Sequence, residues 1–557
     1  MENMNRRKFL SYLGTGTVAL AAASSGLGVL TGQKAQAATA DHLFGFKTNK
    51  VSGYFNPIQH STEDKLLLPK GFQYTVVAAY GDVINAAGDT FGYNNDYTAF
   101  FPINGRNSDK GLLWVNHEYT NPIWVEGPAG QGGYSADQLK KLLYNQGGSI
   151  IEVYRDGDGA WKMDKNSQYA RRITGLTPFQ LTGPAKGAKA VGGASTVQGT
   201  FANCSGGVTL WHTVLSCEEN FESTAEAAKL NPTHYGWVIE VDPFNPQWAV
   251  RKHTALGRFH HENSAMGLAA DGRVVVYMGD DEKDACVYKY ISKGKFDASK
   301  DKANSALLED GTLYAANFKK GAWVALTLDA VQKALNTQGF KVPSLISKTA
   351  DQLKAQFQTQ ADVLVYASEA ALILGGTPTD RPEDVEISPF DNTIFIAHTN
   401  NDNHGNIHGH ITRFFEKDND LGALEFDFEI FAAGGRQSGF SAPDNLTFDS
   451  NGNLWTVTDI SGSSLNKGVH THFGNNGLYV IPTVGKNAGE AMQFASAPVE
   501  SELTGPSFTP DETTLFLSVQ HPGEQTKEVN KPTSMWPHRK GDSQPRPAVV
   551  AITGFKL

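Results

Sequence analysis

Carboxylates are the first feature of this sequence with chemical consequence, because they recur directly after short apolar runs. Asn116-His117-Glu118, Cys217-Glu218-Glu219-Asn220 and Asp280-Asp281 follow such runs, and His261-Glu262-Asn263, Arg381-Pro382-Glu383-Asp384 and Pro443-Asp444-Asn445 repeat the chemistry elsewhere. If the runs are equivalent strands, their ends converge on one mouth. So many carboxylates together repel one another until some protonate or cations neutralise them. Oxygen ligands of this kind suit calcium or magnesium, whereas a thiolate selects iron or zinc. Cys217, beside Glu218 and Glu219, makes a mixed cluster one reading; an inert buried thiol, the usual state of a lone cysteine, is the other. A single acidic pair is ordinarily a turn cap or a solvated face. The recurrence is what points to metal.

The elements that must position these groups are legible as a repeat: a polar turn, an apolar strand, then acidic or amide residues. The clearest copies are Asp449 to Asp459, Asp271 to Asp280, Pro389 to His398 and Pro510 to Val519, with looser ones at Ser108 to Glu118 and Gly206 to Cys217. Such repetition predicts an all-β fold, a six-bladed β-propeller with helical and loop insertions, since radial repetition protects sheet edges. A mixed β-sandwich or a two-domain chain is the alternative. Capping boxes at Ser135-Ala136-Asp137-Gln138 and Thr349-Ala350-Asp351-Gln352, and helical spacing from Leu326 to Leu335, mark insertions. A helical insertion over about 319–376 accounts for the doubled spacing between the third and fourth strand ends.

With 557 residues, 40% of them hydrophobic, the chain buries a large core, and its 57 glycines are scattered between short apolar runs as turns require. A formal charge of -10 gives no attraction for nucleic acid or anionic lipid. At the N-terminus, Asn5-Arg6-Arg7-Lys8-Phe9-Leu10, a mild apolar stretch from Tyr12 to Leu30 and Ala35-Gln36-Ala37 read as a twin-arginine export signal. Residues 1–37 are then a signal peptide, 38–557 a single domain, and the destination periplasmic or secreted, with the twin-arginine translocase as partner during export. No stretch promises stable membrane insertion. Export through this route suits a protein that acquires a metal or redox centre before crossing. Cys204, Cys217 and Cys286 allow at most one disulfide. Neither a Gly-x-Ser-x-Gly elbow nor a phosphate-binding glycine loop is present.

Taken in order, the export signal, Asn116-His117-Glu118, Ser216-Cys217-Glu218-Glu219-Asn220, Gly257-Arg258-Phe259-His260-His261-Glu262, Arg381-Pro382-Glu383-Asp384, Ala442-Pro443-Asp444-Asn445-Leu446 and Gln520-His521-Pro522-Gly523-Glu524 resemble the PhoX-type alkaline phosphatases. The resemblance runs from about Gly53 to Ile552. It implies hydrolysis of phosphomonoesters by a metal-bound oxygen nucleophile, in a cluster of two Fe3+ and two or three Ca2+ ions. Carried over, it makes Cys217 the iron ligand and Glu219, Glu262, Glu383 and Asp444 metal ligands, with Arg381 and Asn116 holding the phosphate. Glu118, Glu218 and Asp280, with Asp281 and His521, are further candidates. Alternation along a strand aims only one of two neighbours inward, which favours Glu219 over Glu218 beside Cys217. Arg381 has a second reading, a structural ion pair to Glu383 or Asp384. Two other functions stay open: a calcium-dependent propeller lactonase or esterase with His117 or His261 as base, and a non-catalytic propeller whose calcium braces a binding face. A closed propeller has no obligatory edge to pair, so a monomer is expected.

Overall fold

The computed structural model describes residues 55–105 and 107–555, so the export signal lies outside the described residues. The chain is mostly β, arranged as several sheets. Among the described residues, six sheets have four strands or more, and a small pair, Lys283–Ala285 with Thr379–Asp380, lies apart. Each of the six opens with an antiparallel pair of consecutive strands. These pairs are Asn95–Pro102 with Lys110–His117, Asn203–Val208 with Val214–Glu218, Ala265–Leu268 with Arg273–Gly279, Pro382–Ile387 with Ile394–His398, Pro443–Phe448 with Asn453–Thr458, and Glu502–Phe508 with Thr514–Gln520. The repeated apolar runs of the sequence are the second strands of these pairs.

Those second strands read as unbroken apolar runs because sheets cover both of their faces. Leu112, Leu113, Trp114 and Val115 are all buried, with Trp114 facing one core and Leu113 and Val115 the next. First strands touch in succession, each against its neighbours, and Glu502–Phe508 returns to Asn95–Pro102. The last sheet joins the two ends of the described chain: Gln73–Ala79 pairs with Ala548–Thr553, next to Thr514–Gln520.

Between the third and fourth of these sheets stand the helices Leu328–Leu335, Ala350–Gln356, Gln360–Val365 and Ala367–Leu374. Both capping boxes form, on Ser135 with Gln138 and on Thr349 with Gln352. The helices are not an appendage: Leu353, Val363, Ala367 and Ala371 share a core with Tyr288 and Leu313 of the third sheet. Ser368, in the first turn of Ala367–Leu374, donates to the Asp280 carboxylate at 2.9 Å, tying that helix to the end of a second strand.

Candidate metal centre

Register decides which side chains meet. Asn95 pairs with His117, Asn203 with Glu218, His261 with Asp280, Pro382 with His398, Pro443 with Thr458 and Glu502 with Gln520. One residue beyond five of the six pairs, a backbone N–H returns to the carbonyl of the residue before the pair's first member. Glu118 donates to Asn94 at 3.0 Å, Glu219 to Ala202 at 2.8 Å, Asp281 to His260 at 2.9 Å, Thr399 to Arg381 at 3.0 Å and Asp459 to Ala442 at 2.9 Å. Asn94, Ala202, Arg381 and Ala442 take a left-handed backbone, with φ of 36°, 54°, 53° and 56°, which turns the incoming chain sharply into its strand. Register shifts follow between Asn95 and Thr98, Pro382 and Val385, and Pro443 and Leu446, where an extra residue re-aims the side chains.

Equivalent positions therefore form two tiers. One holds Asp96, Cys204, Glu262, Glu383 and Asp444; the other holds Glu118, Glu219, Asp281, Thr399 and Asp459. Their ligand atoms gather into three overlapping groups, each within 4.8 Å: Asp96, Glu118 and Cys204; Cys204, Glu219 and Glu262; Glu262, Asp281 and Glu383. Gln520 Nε2 donates to Asp96 at 2.7 Å and to Glu118 at 2.9 Å, and Asn445 Nδ2 donates to Asp444 at 2.8 Å and to Glu262 at 3.3 Å. Asp444 stands close enough to Glu502, Asp96 and Asp459 to be repelled by them.

Four of the expected residues lie elsewhere. Cys217 is two places before Glu219 and is packed with Trp211, Leu215 and Val238 in the core between sheets. Glu218 turns away from the cluster to Lys252 at 2.6 Å, both without solvent exposure. Asp280 accepts from Ser368 and from the His260 backbone, while its neighbour Asp281 enters the site. The Asn116 amide is spent on structure: its Nδ2 donates to the carbonyls of Cys204 at 2.7 Å and Ser205 at 2.9 Å, and its Oδ1 accepts from Trp114 and Ser216. Sequence reading missed Cys204, Asp96, Asp459 and Glu502 as site residues, and held Asp281 only as a further candidate. Aligning the chain on the start of each first strand, Asn95-Asp96 with Asn203-Cys204, Pro382-Glu383 and Pro443-Asp444, is the signal that exposes the first two.

Losing one partner of the Glu218–Lys252 pair strands the other charge in the core. Lys252→Met is therefore expected to destabilise the fold by about 3–5 kcal/mol, read as a lower urea midpoint.

Arg381 caps the cluster. Its Nε and Nη2 grip both Asp281 oxygens at 2.9 and 2.7 Å, Nη2 also lies 2.7 Å from Glu383, and Nη1 approaches Asp459 at 3.4 Å. The side chain as a whole keeps 23% of its exposure, while all three guanidinium nitrogens face carboxylates.

Burial, and after it the mutual repulsion of neighbours, raises Glu118, Glu219, Glu262, Glu383, Asp444 and Glu502 well above the ordinary carboxylate range. Burial pushes Asp96 to about 7, and burial followed by Asp96 and Glu262 drives the Cys204 thiol up. Without cations these groups hold protons, which cations displace on binding. The folded state then binds more protons than the unfolded one between the ordinary carboxylate pKa and the raised value, so its stability falls as pH rises through that window. Metal-stripped protein is accordingly expected to melt at a lower temperature at pH 8 than at pH 5, and metal-loaded protein to lose most of that slope.

The donor set fits hard cations with one softer ion. Asp96 Oδ1 and Glu262 Oε2 are buried with no hydrogen-bond partner, carboxylate oxygens dominate, and a single sulfur stands among them.

Carboxylates and a thiol drawn from neighbouring sheets into shared groups define a metal-binding β protein. The model of the family described as Alkaline phosphatase PhoX matches residues 53–523, and the chain belongs to that family of metal-dependent phosphomonoester hydrolases. Pseudomonas fluorescens PhoX, solved in complex with vanadate, a transition state analogue, is 32% identical with a TM-score of 0.78, over 90% of this chain and 99% of that one. A Dyadobacter fermentans protein of unknown function is 7% identical with a TM-score of 0.37, over 87% and 100% of the two chains. A Bacteroides ovatus glycosyl hydrolase is 10% identical with a TM-score of 0.30, over 79% and 99%; neither likeness bears on function. No curated protein matches the chain. Among the described residues, no helix is long and apolar enough to cross a membrane.

Proposed function

We propose that this phosphatase is a six-bladed β-propeller, a single domain acting as a monomer outside the cytoplasm after twin-arginine export. Its cluster takes two ferric ions and two or three calcium ions. The observation that carries the metal assignment is the run of three overlapping donor groups joined by Cys204 and Glu262. The successive first-strand contacts and the joining of the two chain ends in one sheet support the propeller. A sulfur inside the cluster weighs against a calcium-only lactonase, which has no use for a thiolate.

In this reading Cys204 binds iron as its thiolate, and Asp96, Glu118, Glu219, Glu262, Asp281, Glu383 and Asp444 share the remaining positions. Bound, the cations supply the positive charge that lets an acidic protein accept a phosphate dianion and that activates the attacking oxygen at neutral pH. Arg381 receives the phosphoryl oxygens, and its fixed charge stabilises them as transfer proceeds. Asp281 and Glu383 hold that guanidinium rigid, so little reorganisation is needed during the reaction. Gln520 and Asn445 orient the carboxylates they touch. Asn116 positions the strand that carries Cys204 without reaching the substrate.

Stripping metal with a chelator is expected to abolish hydrolysis of an aryl phosphate, and adding iron with calcium to restore it. Activity that survives in protein free of both metals would overturn this assignment.

A further inference from the structure

The cluster accounts for the phosphoryl group and leaves the alcohol side of the ester unassigned. Two loops rise from the second tier on the Arg381 flank, one after Thr399 and the other after Asp459. They meet over the Ala442-Pro443-Asp444 segment. Ser441 Oγ joins them, 2.9 Å from His408 Nδ1 and 3.5 Å from His470 Nδ1. The two imidazoles stand edge to face at 5.4 Å, and Phe473 lies 5.2 Å from His408. Phe473 packs with Ala442, Ile460 and Leu465; Ile460 follows Asp459, and Ala442 lies two residues before Asp444.

The wall is uncharged at neutral pH. Burial first, and then the neighbouring His470, lowers His408 to about 4, and burial lowers His470. The nearest charged groups of the same loops are engaged, Asp402 with Lys283 and Lys467 with the Ser463 carbonyl. Ile407 and Val469, each next to one of these histidines in the chain, are apolar and stand 37% and 51% exposed. Thr399 donates its N–H to the Arg381 carbonyl and Asp459 lies 3.4 Å from Arg381 Nη1, so both loops start beside the residue assigned to the phosphate.

Resting on the phosphatase reading, we propose that His408 and His470, backed by the buried Phe473 and with Ile407 and Val469 at the rim, form the leaving-group subsite. It favours phosphate esters of apolar alcohols, aryl or alkyl, over esters of polyhydroxylated ones. Apolar contacts of this kind discriminate modestly, because each contributes only the burial of a few carbons. The metal-loaded double variant Ile407→Ser/Val469→Ser is compared with the parent on 4-nitrophenyl phosphate and glycerol 2-phosphate. Both substrates carry the same dianion, so the ratio of their kcat/KM values isolates the alcohol. The preference for the aryl ester is expected to fall about 5-fold, mainly through KM. Both positions are exposed, so the fold tolerates the change. A ratio within twofold of the parent's overturns the subsite while leaving the phosphatase reading intact. A parent that hydrolyses neither ester overturns both.

Discussion

Cys204→Ser is expected to cost the protein its iron and at least about 100-fold in kcat/KM, because a cation at such a centre supplies several kcal/mol of charge stabilisation. The argument is positional. Cys204 belongs to two of the three donor groups, and removing its sulfur parts Asp96 and Glu118 from Glu219 and Glu262. Serine is nearly isosteric but offers a poor ligand for a soft or borderline ion, so the loss falls on the metal and not on the strand. Cys217→Ser is the matched control. That thiol is fully buried among apolar side chains, so the exchange costs about 1–3 kcal/mol for a hydroxyl placed in the core, with metal content kept. Metal analysis, kinetics and a melting curve on both variants separate the roles. Iron lost from the Cys217 variant and kept in the Cys204 variant would reverse the assignment.

Arg381→Ala is expected to lower kcat/KM by about 1,000-fold, the lower end of what a guanidinium supplies to phosphoryl transfer. Arg381→Lys is expected to recover little, since an ammonium cannot span both Asp281 oxygens and also meet the phosphate. Metal content decides between the two roles this residue could have. If Arg381 orients phosphate, the variants keep their metals and lose rate. If it only offsets Asp281, Glu383 and Asp459, the metals leave with it, and phosphate binding belongs to another group. Burial acts against the Arg381 charge, but Asp281, Glu383 and Asp459 together hold its pKa well above the usual value. The guanidinium therefore stays charged, and the acid and base limbs of the rate profile belong to other groups.

These two tests bear on the two residue types whose roles were least alike in sequence and in space. Recurrence singles out the segments that hold Glu219, Glu262 and Glu383, the family resemblance makes these three metal ligands, and all three stand in the donor groups. Glu218 and Asp280 carry the same chemistry one place earlier and turn away, to Lys252 and to Ser368. One-residue displacements of this kind cannot be resolved from types alone, because adjacent strand residues face opposite ways and the bulges shift the phase.

The chemistry and its repetition are legible along the chain. Apolar runs ending in carboxylates need many short strands, and so much buried negative charge needs cations; both follow from composition and spacing. Which of the two cysteines, and which member of each acidic pair, faces the cluster is set by the tertiary structure. The left-handed turns at Asn94, Ala202, Arg381 and Ala442 set the phase of the first strands, and the pairing carries it to the ends of the second. Those contacts join residues far apart in the chain, so no local pattern records them.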